Sequence, residues 1–246
     1  MDGILDLIVF LAASFSSAIV AGLSGFAFGL IATSVWLYVL SPLQSATLIV
    51  VFGLIVQGYS VWKLQHAIEW KKLWPFVIGG AFGVPLGVAV LNWADPGRVR
   101  VGVGIFLVAY SGWSLLRPSV RPLASRGVAL DAVIGFLNGI LAGITGLAGI
   151  IVTLWCGLRG WTKDQQRAVF QPVAVATFIM TAAWIGAKGA VTADTLGYFF
   201  LGLPAVLAGT WLGMRLYGRL DDTLFRSIVL SLLLLSGALL VARVGQ

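Results

Sequence analysis

The chain has 246 residues, of which 59% are hydrophobic and 10% are charged, and a formal net charge of +7. Soluble domains carry about 25% charged residues, so this composition excludes a water-soluble fold and makes the lipid bilayer the solvent. The basic residues fall in short clusters between apolar runs, with no recognition module. That excludes a nucleic-acid partner and reads as topology signals set against an anionic lipid surface.

In chain order, Met1-Asp2-Gly3 lacks the basic stretch and cleavage site of a signal peptide, so the first apolar run is expected to stay in the protein. That run spans residues 4–40 with one acid, Asp6. As a single helix its 37 residues would be about 55 Å long, nearly twice the ~30 Å hydrocarbon core. Gly22-Leu23-Ser24-Gly25 interrupts it, and clustered glycines predict a break into two helices. Runs 43–62, 73–91 and 101–116 follow, each suited to one crossing. A linker from Arg117 to Gly127 holds three arginines and two prolines. The second long run, 128–158, is broken by Gly143-Ile144-Thr145-Gly146, and runs 168–187, 195–214 and 225–241 complete the chain. Trp62, Trp70, Trp74, Trp93 and Trp161 stand at or near run ends, as an aromatic belt requires.

The chain is written twice. Residues 21–27 (AGLSGFA) match 142–148 (AGITGLA) at a shift of 121, and Gly83, Gly87, Asp95 and Arg100 match Gly209, Gly213, Asp221 and Arg226 at a shift of 126. If each long run crosses once, Lys and Arg divide evenly. If each goes in and returns, one side holds Lys63, Lys71, Lys72, Arg117, Arg121, Arg126, Arg159, Lys163, Arg167, Arg215, Arg219 and Arg226. The other then holds only Arg98, Arg100, Lys188 and Arg243. That asymmetry follows the positive-inside rule and places both termini outside. The expected fold is an all-α integral membrane protein of two inverted repeats, 1–117 and 128–246, joined by a basic linker, 118–127. Each repeat has about five helical elements (8–10 helices in all), with a broken or hairpin first segment.

Irregular backbone at membrane depth is tolerated only inside protein or beside a cavity, and broken helices in inverted repeats mark the binding sites of many transporters. The candidate substrate site is therefore Gly22, Ser24, Gly25, Gly143, Thr145 and Gly146. Ser24 and Thr145 are expected as N-caps of the second helix of each pair, whose free amides would hold an anion. No Lys or Arg lies deep inside a predicted span, so such an anion would be held without arginine. Gln57, Asn138 and Gln171 are intramembrane amides and join the candidates, Gln171 because Pro172 beside it frees backbone groups. Gly83/Gly87 and Gly209/Gly213 read as helix-packing positions. Asp6 and Asp131 read as interfacial, His66 as solvated, and Cys156 as a buried apolar residue. No HExxH, GxSxG or Walker A motif is present, and one His and one Cys are too few for a metal centre. The chain is read as no enzyme, with no cofactor and no metal.

The paired elements AGLSGFAFGL…SPLQSA and AGITGLAGII…WTKDQQRA resemble the sulfite exporter TauE/SafE family of membrane permeases. So do the half-ends GVPLG…DPGRVRVGVGIFL and GTWLGMRL…DDTLFRSIVLSLLL. The resemblance covers essentially the whole chain. It implies a small anionic substrate (sulfite, a sulfonate or a carboxylate), a place in the bacterial inner membrane, and the glycine turns as the binding part. A coupling ion, proton or sodium, and a homodimer are compatible with it. Phe26 and Phe28 stand where many members have glycines followed by proline, so a narrower cavity or an apolar part of the substrate is expected there. A channel-like facilitator and a non-transporting sensor or partner subunit are the alternatives on the same scaffold.

Overall fold

The computed structural model describes residues 3–36, 38–90, 96–116, 127–145, 148–186 and 192–242. Among them are ten α-helices and one 3-10 turn (Gln65–Ala67). The first half of the chain forms α1 (Ile4–Ser24), α2 (Phe28–Trp36), α3 (Pro42–Lys63), α4 (Trp70–Val90) and α5 (Pro96–Leu116). The second forms α6 (Val128–Thr145), α7 (Ile150–Leu158), α8 (Lys163–Gly186), α9 (Ala193–Tyr217) and α10 (Asp222–Ala242). Most of the linker, and with it Gly146, Asp95, Trp93, Lys188 and Arg243, lies outside the described residues.

Both long runs break as expected, into a long helix and one of nine residues. At 1.5 Å per residue the short helices are about 13 Å long, half the core thickness. Each doubles back along its partner. In the second pair, Asp131 near the start of α6 binds Trp155 Nε1 (2.7 Å) and Arg159 (2.9 Å), both at the far end of α7. In the first, Phe10 of α1 meets Trp36, the last residue of α2, with ring centroids 5.4 Å apart. In each pair the short helix therefore runs back toward the end at which the long helix began.

The charged helix ends are part of the helices, which makes several of them longer than the uncharged runs. Ser41 and Gln44 form a reciprocal capping box at the start of α3, and Thr162 and Gln165 repeat it at α8. These boxes satisfy first-turn amides and fix the starts. The α8 box opens the helix at Lys163, five residues before the run of uncharged residues begins, and so carries Arg167 into the protein interior.

The most extensive packing joins the halves: α4 on α6, α1 on α9, α5 on α10, and α3 on α8. Gly79, Gly83 and Gly87 of α4 meet the α6 backbone in ascending order, at Ala132, Phe136 and Ile140, so these helices run parallel. Gly202, Gly209 and Gly213 of α9 likewise meet Phe10, Phe15 and Ile19 of α1, in parallel. A methyl group at Gly83, Gly87, Gly209 or Gly213 would collide with backbone carbonyl oxygen of the facing helix, which is the small-residue packing expected of them. The α5–α10 pair is antiparallel, with Gly237 at Gly104 and Arg226 at Ser114. So is α3–α8, with Gly53 at Phe178 and Gln57 at Gln171.

The outside is apolar. Phe82, Phe200, Leu116 and Ile105 are among many exposed large side chains, the reverse of a soluble protein. Ile4–Ser24, Gln44–Lys63, Ala193–Tyr217 and Asp222–Leu239 are each long and apolar enough to cross a membrane. Trp62, Trp70 and Trp74 are exposed at helix ends, as the aromatic belt requires. His66 is exposed in its 3-10 turn.

Candidate functional site

The first break is built around Gly25. This residue closes α1 in the left-handed conformation (φ 92°), its N–H bonding the Ala21 carbonyl at 2.6 Å, a C-terminal cap that glycine takes without strain. The Gly25 carbonyl accepts from Gln57 Nε2 of α3 at 2.6 Å, and the Gln57 side-chain oxygen accepts from Gln171 Nε2 of α8 at 3.2 Å. Three expected site residues are thus brought into one hydrogen-bonded chain, and both glutamines are buried. Gly22 is also buried, its Cα packed on α9 beside Gly213.

The expectation that this region holds no basic residue is overturned. Arg167 is fully buried and donates from Nη1 to the carbonyls of Gly22 (2.9 Å) and Leu23 (3.3 Å). Its Nη2 lies 3.2 Å from Met214 Sδ, and its guanidinium carbon stands 4.1 Å from the centre of the Tyr217 ring. The Tyr217 hydroxyl in turn donates to the Asp164 carboxylate. Among the described residues no carboxylate reaches Arg167 within ion-pair distance, and its Nε, beside Gly25, has no partner. The helix C-terminus explains part of this placement, since the guanidinium sits where α1 presents unpaired carbonyls and the negative end of its dipole. The sequence carried one signal for it. A helix opened by the Thr162/Gln165 box puts Arg167 four residues before Gln171, on the same face.

The second break carries a left-handed glycine at Gly149 (φ 88°), the N-cap of α7, with no side-chain cap of the usual kind. The Gly149 N–H donates instead to Asn138 Oδ1 of α6 at 3.1 Å. Asn138 is fully buried, and its Nδ2 has no partner. Gly143 belongs to α6 and packs against Gly87. Gly146 lies outside the described residues.

Ser24 and Thr145 are not N-caps. Each is the last residue of the first helix of its pair, because several residues of irregular backbone are needed to reverse the chain before the short helix can start. The Ser24 hydroxyl donates back to the Val20 carbonyl at 2.8 Å. One hydroxyl has one proton, so Ser24 has no donor left for an anion in this arrangement.

Both breaks meet one stretch of α8. The α-face of Gly25 lies against the Phe170 ring, and Gly149 lies near the Phe170 carbonyl and the Ala174 methyl. Arg167, Phe170, Gln171 and Ala174 form a single stripe at helical spacing. Asp131, expected at the interface, is buried and paired with Arg159. Cys156 is buried as expected. A cavity of about 390 Å³ lies apart from the stripe, between α5, α7 and α10, lined in part by Tyr110, Thr153, Trp161 and Arg226.

A family model described as Sulfite exporter TauE/SafE matches residues 9–240, nearly the whole chain. No curated protein and no solved structure matches it.

Proposed function

This chain belongs to the sulfite exporter TauE/SafE family, and from that premise we propose that it is a permease for a small sulfur-containing or organic anion, such as sulfite or a sulfonate. The members of this family are membrane transporters rather than enzymes, and the chain is a multi-pass membrane protein accordingly. Its proposed place is the bacterial inner membrane. The proposed site is where the two breaks, Gly22–Gly25 and Gly143–Gly146, meet Gln57, Asn138 and Gln171, with Arg167 added as the counter-charge.

The observation that carries this reading is Arg167. Removing a guanidinium from water costs several kcal/mol unless an anion offsets it. Here the direct partners are two carbonyls, a thioether and an aromatic face. An oxyanion arriving beside Gly25 would meet the free Nε and gain a charge-assisted hydrogen bond in a dry site, where such bonds are strongest.

Inversion of the repeats completes the proposal, with both termini periplasmic. The parallel pairs α1–α9 and α4–α6 and the antiparallel pairs α3–α8 and α5–α10 are the directions that an inverted duplication produces. Inversion would bring the N-termini of α2 and α7 toward a common depth, and the anion would be exposed to each side in turn.

Uptake of labelled sulfite and of short sulfonates into proteoliposomes tests the reading. Saturable flux is expected for the unaltered protein, with a loss of at least about 100-fold in Arg167→Gln, since hydrogen bonds to charged groups and their unpaired remainders are worth a few kcal/mol. Undiminished flux in Arg167→Gln sinks the site. Current that never saturates indicates a channel instead.

A further inference from the structure

The direction of the hydrogen bonds around Gly25 fixes both glutamines. A carbonyl oxygen can only accept, so the Gln57 group facing Gly25 at 2.6 Å is its NH₂. The Gln57 oxygen then faces Gln171, and the Gln171 group that reaches it, at 3.2 Å, is again the NH₂. What remains is Gln171 Oε1, an acceptor on a fully buried side chain, with no donor among the described residues. Pro172 adds to this. It lies inside α8 and has no N–H, so the Ala168 carbonyl is left without its helical donor one turn back. The stretch that supplies the cation thus also supplies an unmet acceptor, Gln171 Oε1, four residues from Arg167 and on its face.

An anion that only accepts hydrogen bonds satisfies Arg167 and leaves Gln171 Oε1 unpaired, or places its own lone pairs against it. A buried acceptor without a donor costs about 1–3 kcal/mol. Sites built to bond a substrate hydroxyl reject the isostere that lacks one. We propose that this site selects monoanions that carry a hydrogen-bond donor close to the charged head, a hydroxyl or a protonated acid oxygen, with Gln171 Oε1 as the acceptor that reads it. The inference rests on the site proposed above and narrows its substrate class from small oxyanions to donor-bearing ones.

The test uses two sulfonates of equal charge and nearly equal shape, 2-hydroxyethanesulfonate and propane-1-sulfonate, binding to the purified full-length protein by calorimetry. The unaltered protein is expected to bind the hydroxylated probe about tenfold more tightly or better, the equivalent of one unmet hydrogen bond. Gln171→Met, close in shape but with no strong acceptor, is expected to bind both probes within about twofold of each other. Equal binding of the two probes by the unaltered protein overturns the proposal, and that comparison needs no variant to fold. A preference that survives in Gln171→Met overturns the role of Gln171. Failure of both probes to bind the unaltered protein would instead remove the anion site on which the proposal stands, and the proposal with it.

Discussion

Arg167 Nη1 donates to the carbonyl of Gly22 at 2.9 Å, so the last turn of α1 is held by a guanidinium that enters from the other half of the sequence. That bond fills one side of the guanidinium and leaves Nε toward Gly25 without a partner. A residue retained for stability would be costly to remove. One retained for an anion need not be, because its burial is itself unfavourable.

Arg167→Met is therefore expected to leave the thermal stability in detergent within about 1 kcal/mol of the parent while abolishing anion flux. Melting curves and proteoliposome uptake on the same preparation check this. A large drop in stability would assign the arginine to α1 capping.

Ser24→Ala is expected to change flux by less than about twofold, since its only proton is given to Val20 and a helix back-bond contributes little. The sequence suggested the opposite, with this hydroxyl as an anion ligand. Uptake kinetics of Ser24→Ala beside Arg167→Gln separate the two views.

Asp131 and Arg159 form a buried ion pair at 2.9 Å, with side chains 10% and 7% exposed, and Asp131 also accepts from Trp155. Removing one partner strands the other. Asp131→Ala is expected to cost about 3–5 kcal/mol, and Asp131→Ala/Arg159→Met less than the sum of the two single changes, by about 1–3 kcal/mol. Denaturation of the four proteins of that cycle measures the coupling, and strict additivity would deny it.

Alanine at Gly25 and at Gly149 should differ. Both have positive φ, at 92° and 88°, and either substitution carries a backbone cost of about 1–2 kcal/mol. At Gly149 the new methyl would meet only Ala174 and the Phe170 carbonyl at ordinary contact distances, of 3.5 and 3.9 Å. At Gly25 it would overlap the Phe170 ring at 2.6 Å and crowd Arg167 Nε at 3.2 Å. Gly25→Ala is expected to lower both stability and anion affinity, and Gly149→Ala chiefly stability. Parallel melting and ligand-binding curves distinguish them.

The helices and the breaks were legible because apolar run length against bilayer thickness leaves few readings, and 37 uncharged or nearly uncharged residues cannot be one crossing. Gln57 and Gln171 stood out as polar residues in apolar surroundings. Their contact did not, because they are not equivalent positions of the duplication, and only the crossing of α3 and α8 brings them together. Arg167 was misplaced for a physical reason. Charge was taken to mark the end of a span, whereas the capping box at Thr162 starts the helix earlier and draws the charge inside. At the second break the duplication pointed to Gly143 and Gly146 and not to Gly149, whose positive φ and bond to Asn138 Oδ1 come further along the chain.

The glycine contacts between α1 and α9, and between α4 and α6, have a mechanical consequence. Backbones that approach so closely slide past one another only by opening, so each pair is held as one body. A motion that kept these contacts would have to hinge across the boundary between the two halves of the chain, not along it. Each packed unit is a composite, the first helix of one half set against the fourth helix of the other.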